Sequence, residues 1–388
     1  MAGLAYLVLA ALALWCGPAM AQDANMVPLT AETPVSGFNR LTVSVTVCEP
    51  GANSSRQPSR CATIDHVMVD TGSVGLRLQA RAVPRWLNLP ALQDGSGRRM
   101  AQCLRFLNNA AWGGLHRADV RLGGQMAADI PIQVVGVDLP RPASCSDGGH
   151  PTSNGTLGIG IRGTDCEGDC VQGATHPTYM ACGENGCAGV PGSVPAQLRV
   201  VNPVQHFPGH DNGVVIDMPM PPRRGVAQVQ GVLIFGVDTA VDNQLGASRI
   251  LRIDQTGHFT TRFDGIDYPR SYIDSGTEYV LVPGSNLPRC RTGGAALCLD
   301  AARQFVATMQ GADRIELPMS FLVGRFPRSG ERGVFASAAM ASSAEEKGFV
   351  WGAPFFMGRR ISLVFRDKSV PGMPGISGPF YAERLSSR

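Results

Sequence analysis

The sequence predicts a mainly β, bilobal protein whose two related lobes enclose a cleft and supply one aspartate each. Three observations carry that expectation. The first is a repeat. "HVMVDTGSVGLRL" (66–78) and "SYIDSGTEYVLV" (271–282) share an apolar lead-in, an Asp, a small hydroxyl residue, a Gly, a second hydroxyl residue and another apolar run. The second is that each motif is followed at similar distance by an apolar pair and a glycine, Gly158 in "GTLGIG" and Gly352 in "FVWGAPFF". The third is composition: 47 Gly and 28 Pro with only 6% aromatic residues suit many short strands and tight turns better than long helices. A lone Asp-Thr-Gly-Ser is usually a surface turn. Two of them, strand-flanked and each with a matched partner, argue for acids held at the floor of a cleft.

The bulk numbers agree with a folded chain. Its 388 residues are 44% hydrophobic and 17% charged, enough for a large core. With 34 basic and 31 acidic residues the net charge is +3, which gives no pull toward nucleic acid or an anionic membrane surface. At the N-terminus "LAYLVLAALALW" is an apolar run of 12 residues, short of the roughly 20 that a spanning helix needs. "AMA" (19–21) follows as a small-x-small cleavage site, so 1–21 reads as a signal peptide cut after Ala21. Lipidation at Cys16 is the poorer reading because the bulky Trp15 precedes it. No second segment is long enough to span a membrane. A soluble monomer, periplasmic or secreted, is expected.

Removing Cys16 from the 11 cysteines leaves an even number in an exported chain, which favours disulfides. Cys48 and Cys61 flank one polar loop and Cys290 and Cys298 another, each a plausible local bridge. Cys166, Cys170, Cys182 and Cys187 share a loop-rich stretch. They could hold zinc, but their spacings are not the usual C-x2-C pairs. Cys103 and Cys145 are left to each other.

Along the chain, "RLTVSVTVC" alternates with period two, and "HRADVRLGGQMAADIPIQVVGV" reads as a hairpin turning near Gly123-Gly124. "NGVVIDMPM", "GVLIFGVDT", "ASRILRID" and "RISLVFRD" are further strands. The best helix candidate is "CLDAARQFVATM" (298–309). "VVNPVQHFPGHDNG" (200–213) reads as the linker. The expected divisions are a short N-terminal segment 22–37, a first lobe 38–205 and a second lobe 206–388.

On these residues the chain resembles the pepsin family of aspartic proteases. "VMVDTGS" is similar to that family's first catalytic motif and "YIDSGT" to its second. "GTLGIG" and "VWGAPFF" resemble the strands that cross beneath the active loops. "GVLIFGVD" resembles the strand that opens the second lobe, and "GGLHRADVRLGG" the distal strands of the flap hairpin. The likeness runs from about residue 38 to 368 and points to a bacterial branch of the clan, resembling the domain-of-unknown-function 3443 family. It implies an acid protease fold and an exported endopeptidase with Asp70 and Asp274 as its dyad. Peptide or protein substrate would lie extended in the cleft, with no cofactor and no metal.

Two carboxylates a few Å apart cannot both ionise, so such a pair shares one proton, and the pair can activate water against a peptide carbonyl. Gly72 and Gly276 would let the loops approach and offer N–H groups. Ser73 and Thr277 would hydrogen-bond the outer carboxylate oxygens, and Thr71 and Ser275 would brace the loops. The chain departs from the family where an aromatic residue usually follows the first motif; here stands Arg77, expected to point outward because no carboxylate is evidently placed to meet it. The flap tyrosine is missing too, leaving Phe106 or Trp112 as substitutes. These departures feed a rival reading, a catalytically silent pepsin-fold binding protein of the cell envelope. "GIGIRG" (158–163) fits G-x-G-x-x-G, but no helix signal follows it. His206 and His210 in "HFPGH" are separated by Pro and Gly, which deny them a common helical face.

Overall fold

A computed structural model describes residues 25–388 except 34–38, 53–56, 107–109, 137–138, 144, 146–152, 167–177, 191–192, 224, 285, 291–294, 298, 300, 325–332, 335–337 and 344–347. The expected signal peptide (1–21), Cys16, Cys170 and Cys298 therefore lie outside the described residues. The described residues form strands and short 3₁₀ turns with no α-helix. No helix among them is long and apolar enough to cross a membrane.

Two sheets organise the described residues, one of fifteen strands and one of eight. The larger sheet runs through both halves of the sequence. Strand Met26–Glu32 joins them: on one side it pairs with Arg40–Cys48, and on the other with Gln228–Phe235, from Met26 opposite Ile234 to Glu32 opposite Gln228. Gly213–Asp217, Arg359–Val364 and Phe380–Leu385 continue the sheet. One apolar core crosses the boundary and contains Leu29 and Val69 as well as Phe235 and Trp351. Of the expected short segment 22–37, the described residues include this strand, Met26–Glu32. Val27, Leu29 and Ala31 alternate with period two, and all three are buried.

The predicted hairpin turns at Gly123-Gly124, with Leu122 opposite Gln125, and the other period-two runs are strands. The helix expected over 298–309 is corrected. Arg303–Gln310 is a strand, antiparallel to Glu316–Val323 with Phe305 opposite Phe321 and Met309 opposite Leu317. Its apolar residues fit a helical period and a period of two equally well, as short runs often do. The hairpin partner decides, turning over Gly311 and Arg314, whose φ is 65°. The stretch 200–213 is packed. Val204 and Phe207 are fully buried, and the Asn202 side chain accepts from the Val204 N–H and donates to the Gly160 carbonyl at 2.9 Å.

Three disulfides are complete among the described residues: Cys48–Cys61, Cys103–Cys145 and Cys182–Cys187. Cys166 and Cys290 are also disulfide-bonded. No cluster of potential metal ligands occurs among the described residues.

Candidate active site

Each aspartate ends a strand and opens a tight loop. Strand Cys61–Asp70 runs into Asp70, and the chain returns as Val74–Gln79. Strand Gly155–Ile159 lies between these two, parallel to the first with Gly158 beside Asp70, and antiparallel to the second. The second half repeats the arrangement. Ile266–Ile273 leads into Asp274, Val280–Pro283 returns, and Val350–Trp351 lies between them, parallel then antiparallel. Glycine is required where the middle strand passes each loop. A Cβ on Gly158 would stand 2.6 Å from the Val74 nitrogen, and one on Gly352 would collide with the Tyr279 carbonyl.

The two carboxyl groups receive matching donors. Asp70 accepts from the Gly72 N–H at 2.8 Å and the Ser73 hydroxyl at 2.5 Å. Asp274 accepts from the Gly276 N–H at 2.8 Å and from the Thr277 hydroxyl. Both acids are buried, and each faces the opposite loop: a Cβ on Gly72 would lie 2.8 Å from Asp274 Oδ1, and one on Gly276 2.7 Å from Asp70 Oδ1. Burial, followed by the facing Asp70 charge and a hydrogen bond to it, pushes the Asp274 carboxyl up to about 8. Desolvation penalises the charge, and the neighbouring acid penalises a second one. The pair therefore keeps a proton far above the ordinary carboxylate range.

Thr71 and Ser275 do more than brace their own loops. Each backbone N–H donates to the other's hydroxyl at 3.0 Å, and the hydroxyls donate onward to the Ile273 and Val69 carbonyls. The two loops are locked to each other, which no local motif could announce.

The acids open onto a cleft of about 1000 Å³ that draws its lining from both halves. Phe106 lines it, at the end of a hairpin formed by Arg99–Arg105 and Ala110–Leu122. Trp112 does not. It stands opposite Cys103 on the far face of that hairpin, fully buried against the Cys103–Cys145 disulfide. Strand pairing explains the correction: Ala111 and its partner Leu104 line the cleft, whereas Trp112 and its partner Cys103 lie on the opposite face of the hairpin. Arg77 is also corrected. Instead of pointing outward it is buried, with its guanidinium 2.9 Å from Asp165. Glu278, at the cleft wall, pairs with Arg40 across the two halves at 2.5 Å.

Sequence reasoning missed three contributors. Asp165 and Gln102 meet Arg77, and the Tyr381 hydroxyl donates to the Ile273 carbonyl, one residue before Asp274. Burial and the Asp274 charge raise the Tyr381 phenol above its ordinary value. None of the three sits in a motif, and only their positions in space identify them. His206 and His210 take no part: His210 hydrogen-bonds Thr239 at 2.7 Å, and neither lines the cleft. Gly158 and Gly160 of "GIGIRG" belong to the strand beneath the first loop and its exit, and the described residues 160–166 that follow form no helix.

Comparison with known proteins places the chain beside a protein family and among solved structures. Residues 21–382 match the family model described as "Protein of unknown function (DUF3443)". The crystal structure of the aspartic proteinase from Irpex lacteus superposes with a TM-score of 0.56 at 14% sequence identity, covering 93% of this chain and 97% of that one. No curated protein matches the chain. The structural likeness establishes the fold: mainly β, bilobal and pepsin-like.

Proposed function

We propose that this chain, which belongs to the DUF3443 family of proteins of unknown function, is an exported aspartic endopeptidase. It hydrolyses peptide bonds with a water activated between Asp70 and Asp274. The observation that carries this reading is the matched pair of buried carboxyl groups facing each other at the cleft floor, each with one N–H and one hydroxyl donor. The ionised member takes a proton from water as its oxygen attacks the scissile carbonyl carbon. The protonated member donates to the carbonyl oxygen, and the resulting tetrahedral intermediate collapses with proton transfer to the leaving nitrogen. The likeness in fold to an aspartic proteinase supports the same chemistry. The disulfides support export, because such bonds persist in oxidising compartments.

The binding-protein reading was fed by Arg77 and by the missing flap tyrosine; Arg77 is paired with Asp165, and its charge also interacts with Asp70. The test is a pair of nearly isosteric substitutions, Asp70→Asn and Asp274→Asn. Either alone is expected to reduce cleavage of an unstructured protein to background, because the acids act as one unit. Wild type should stay active from acidic pH up to about 8, where the shared proton is lost, and be blocked by a statine-type mimic of the tetrahedral state. Cleavage that survives either substitution would overturn the assignment. Absence of wild-type cleavage between pH 3 and 7, with retained binding of a partner, would favour the binding protein.

A further inference from the structure

Arg77 leaves the strand that follows the first aspartate loop and reaches in two directions. One guanidinium nitrogen donates back to the Val74 carbonyl at 2.6 Å and the Gly75 carbonyl at 3.3 Å. These two residues directly follow Ser73, whose hydroxyl holds Asp70. The other nitrogen donates to Asp165 Oδ2 at 2.9 Å and to the Gln102 side-chain oxygen at 3.3 Å. Gln102 closes the triangle by donating to Asp165 at 2.6 Å. It lies on strand Arg99–Arg105, which leads into Phe106 at the cleft. The far oxygen of Asp165 accepts from the Tyr179 hydroxyl at 2.7 Å, and that hydroxyl accepts from the Val200 N–H at 2.8 Å. Arg77, Asp165, Gln102 and Tyr179 are all nearly inaccessible to solvent.

A buried ion pair of this kind is weak evidence for stability, because desolvation offsets much of the attraction; a role in fixing geometry is better attested. Only a planar fork of donors can grip two loop carbonyls with one arm and a carboxylate plus an amide with the other. A lysine ammonium presents its donors from one point.

We propose that Arg77 is a positioning residue that couples the cleft-lining hairpin to the first aspartate loop through its buried pair with Asp165. The hairpin and the Asp70 loop are thereby held at one spacing, so that substrate pressed under Phe106 meets the dyad in register. The catalytic part of this inference rests on the protease reading; the mechanical part does not.

Arg77→Lys keeps the charge and removes the fork. Gln102→Ala leaves the ion pair whole and cuts only the arm to the hairpin, and serves if the lysine variant does not fold. Two measurements are made on each: kcat and KM per correctly folded molecule, and amide hydrogen exchange. The expected result for Arg77→Lys is a fall in kcat of about 10- to 100-fold, as misplacement by an ångström produces, with a smaller change in KM. Amides of Arg99–Arg105 should exchange at least about tenfold faster, a loss of roughly 1.4 kcal/mol in local opening, while those of Arg359–Val364 stay as in wild type. Gln102→Ala should move both readouts in the same direction by less. Unchanged kcat in folded variants would leave the pair a merely structural contact and overturn the positioning role. Unchanged hairpin exchange would overturn the coupling. If wild type cleaves nothing, the protease reading fails by itself, and the exchange measurement still decides whether Arg77 couples the hairpin to the loop.

Discussion

Thr71 and Ser275, 204 positions apart in the chain, hold each other by two equivalent hydrogen bonds of 3.0 Å, each backbone N–H donating to the other's hydroxyl. Both residues are buried, so water cannot replace a lost partner. Each hydroxyl also donates to a carbonyl of the strand that carries the opposite aspartate: Thr71 to Ile273, and Ser275 to Val69. The floor of the cleft is therefore a single object built from two lobes. This lock ties Asp70 and Asp274 to each other through the loops that carry them.

The lock can be measured with a double-mutant cycle. Thr71→Val and Ser275→Ala each leave buried donors and acceptors unsatisfied and should cost about 2–4 kcal/mol of unfolding free energy. The two substitutions remove different hydrogen bonds, those at the Thr71 hydroxyl in one case and those at the Ser275 hydroxyl in the other. Loosening the loops by the first change nevertheless weakens the bonds that the second removes, so the double variant should depart from additivity by about 0.5–3 kcal/mol. Strict additivity in denaturant titrations would show that the two hydroxyls do not work together.

Gly72 and Gly276 are held to glycine by the facing acids. A Cβ on Gly276 would sit 2.7 Å from the Asp70 carboxyl carbon, and one on Gly72 2.8 Å from Asp274 Oδ1. Gly276→Ala must push Asp70 aside, so kcat should drop by about 100-fold or more while the far-ultraviolet circular dichroism is retained. A variant with wild-type kcat would place the reacting pair elsewhere.

The shared proton has a thermodynamic signature. Asp274 titrates near its ordinary value of 3.8 when unfolded and about 8 when folded. Between those values the native state binds more protons than the unfolded state, so this group's contribution to stability falls as pH rises. Asp274→Asn mimics the protonated acid at all pH values. Its unfolding free energy should be close to that of wild type at pH 4 and exceed it increasingly toward pH 8, by a difference on the order of a few kcal/mol. A constant gap across that range would mean that the pair is not coupled in this way.

The Cys103–Cys145 bond ties the strand carrying Gln102 to the segment behind Trp112. The paired substitution Cys103→Ser with Cys145→Ser should destabilise the protein by about 2–4 kcal/mol. Protein folded in an oxidising compartment should carry no alkylatable thiol in residues 22–388. Four reactive thiols, or one zinc per chain, would overturn the disulfide reading of the stretch from Cys166 to Cys187.

Much of the site was legible in the sequence because its chemistry is local. A carboxyl group held by the N–H two residues on and the hydroxyl three residues on needs only Asp-x-Gly-Ser or Asp-x-Gly-Thr, and the chain writes that twice. The alternation of Leu41, Val43, Val45 and Val47 likewise states a half-buried strand, since side chains two apart share a face. The Cys48–Cys61 bridge was readable because it closes a short loop with a sequence separation of 13.

What only the tertiary structure decided depends on which distant residue arrives as a neighbour. Arg77 looked like an unmatched cation until Asp165, 88 positions on, was folded beside it. Residues 303–310 fit a helix or a strand until Glu316–Val323 supplied hydrogen-bond partners along their length. Trp112 was a candidate for the cleft until strand pairing set it opposite Cys103 on the other face, and a shift of one residue would reverse that choice. The sequence thus determined the pair of acid loops, whose donors lie within three residues of each acid. The partner of Arg77 and the lock between Thr71 and Ser275 were decided by contacts that exist only once the chain has folded.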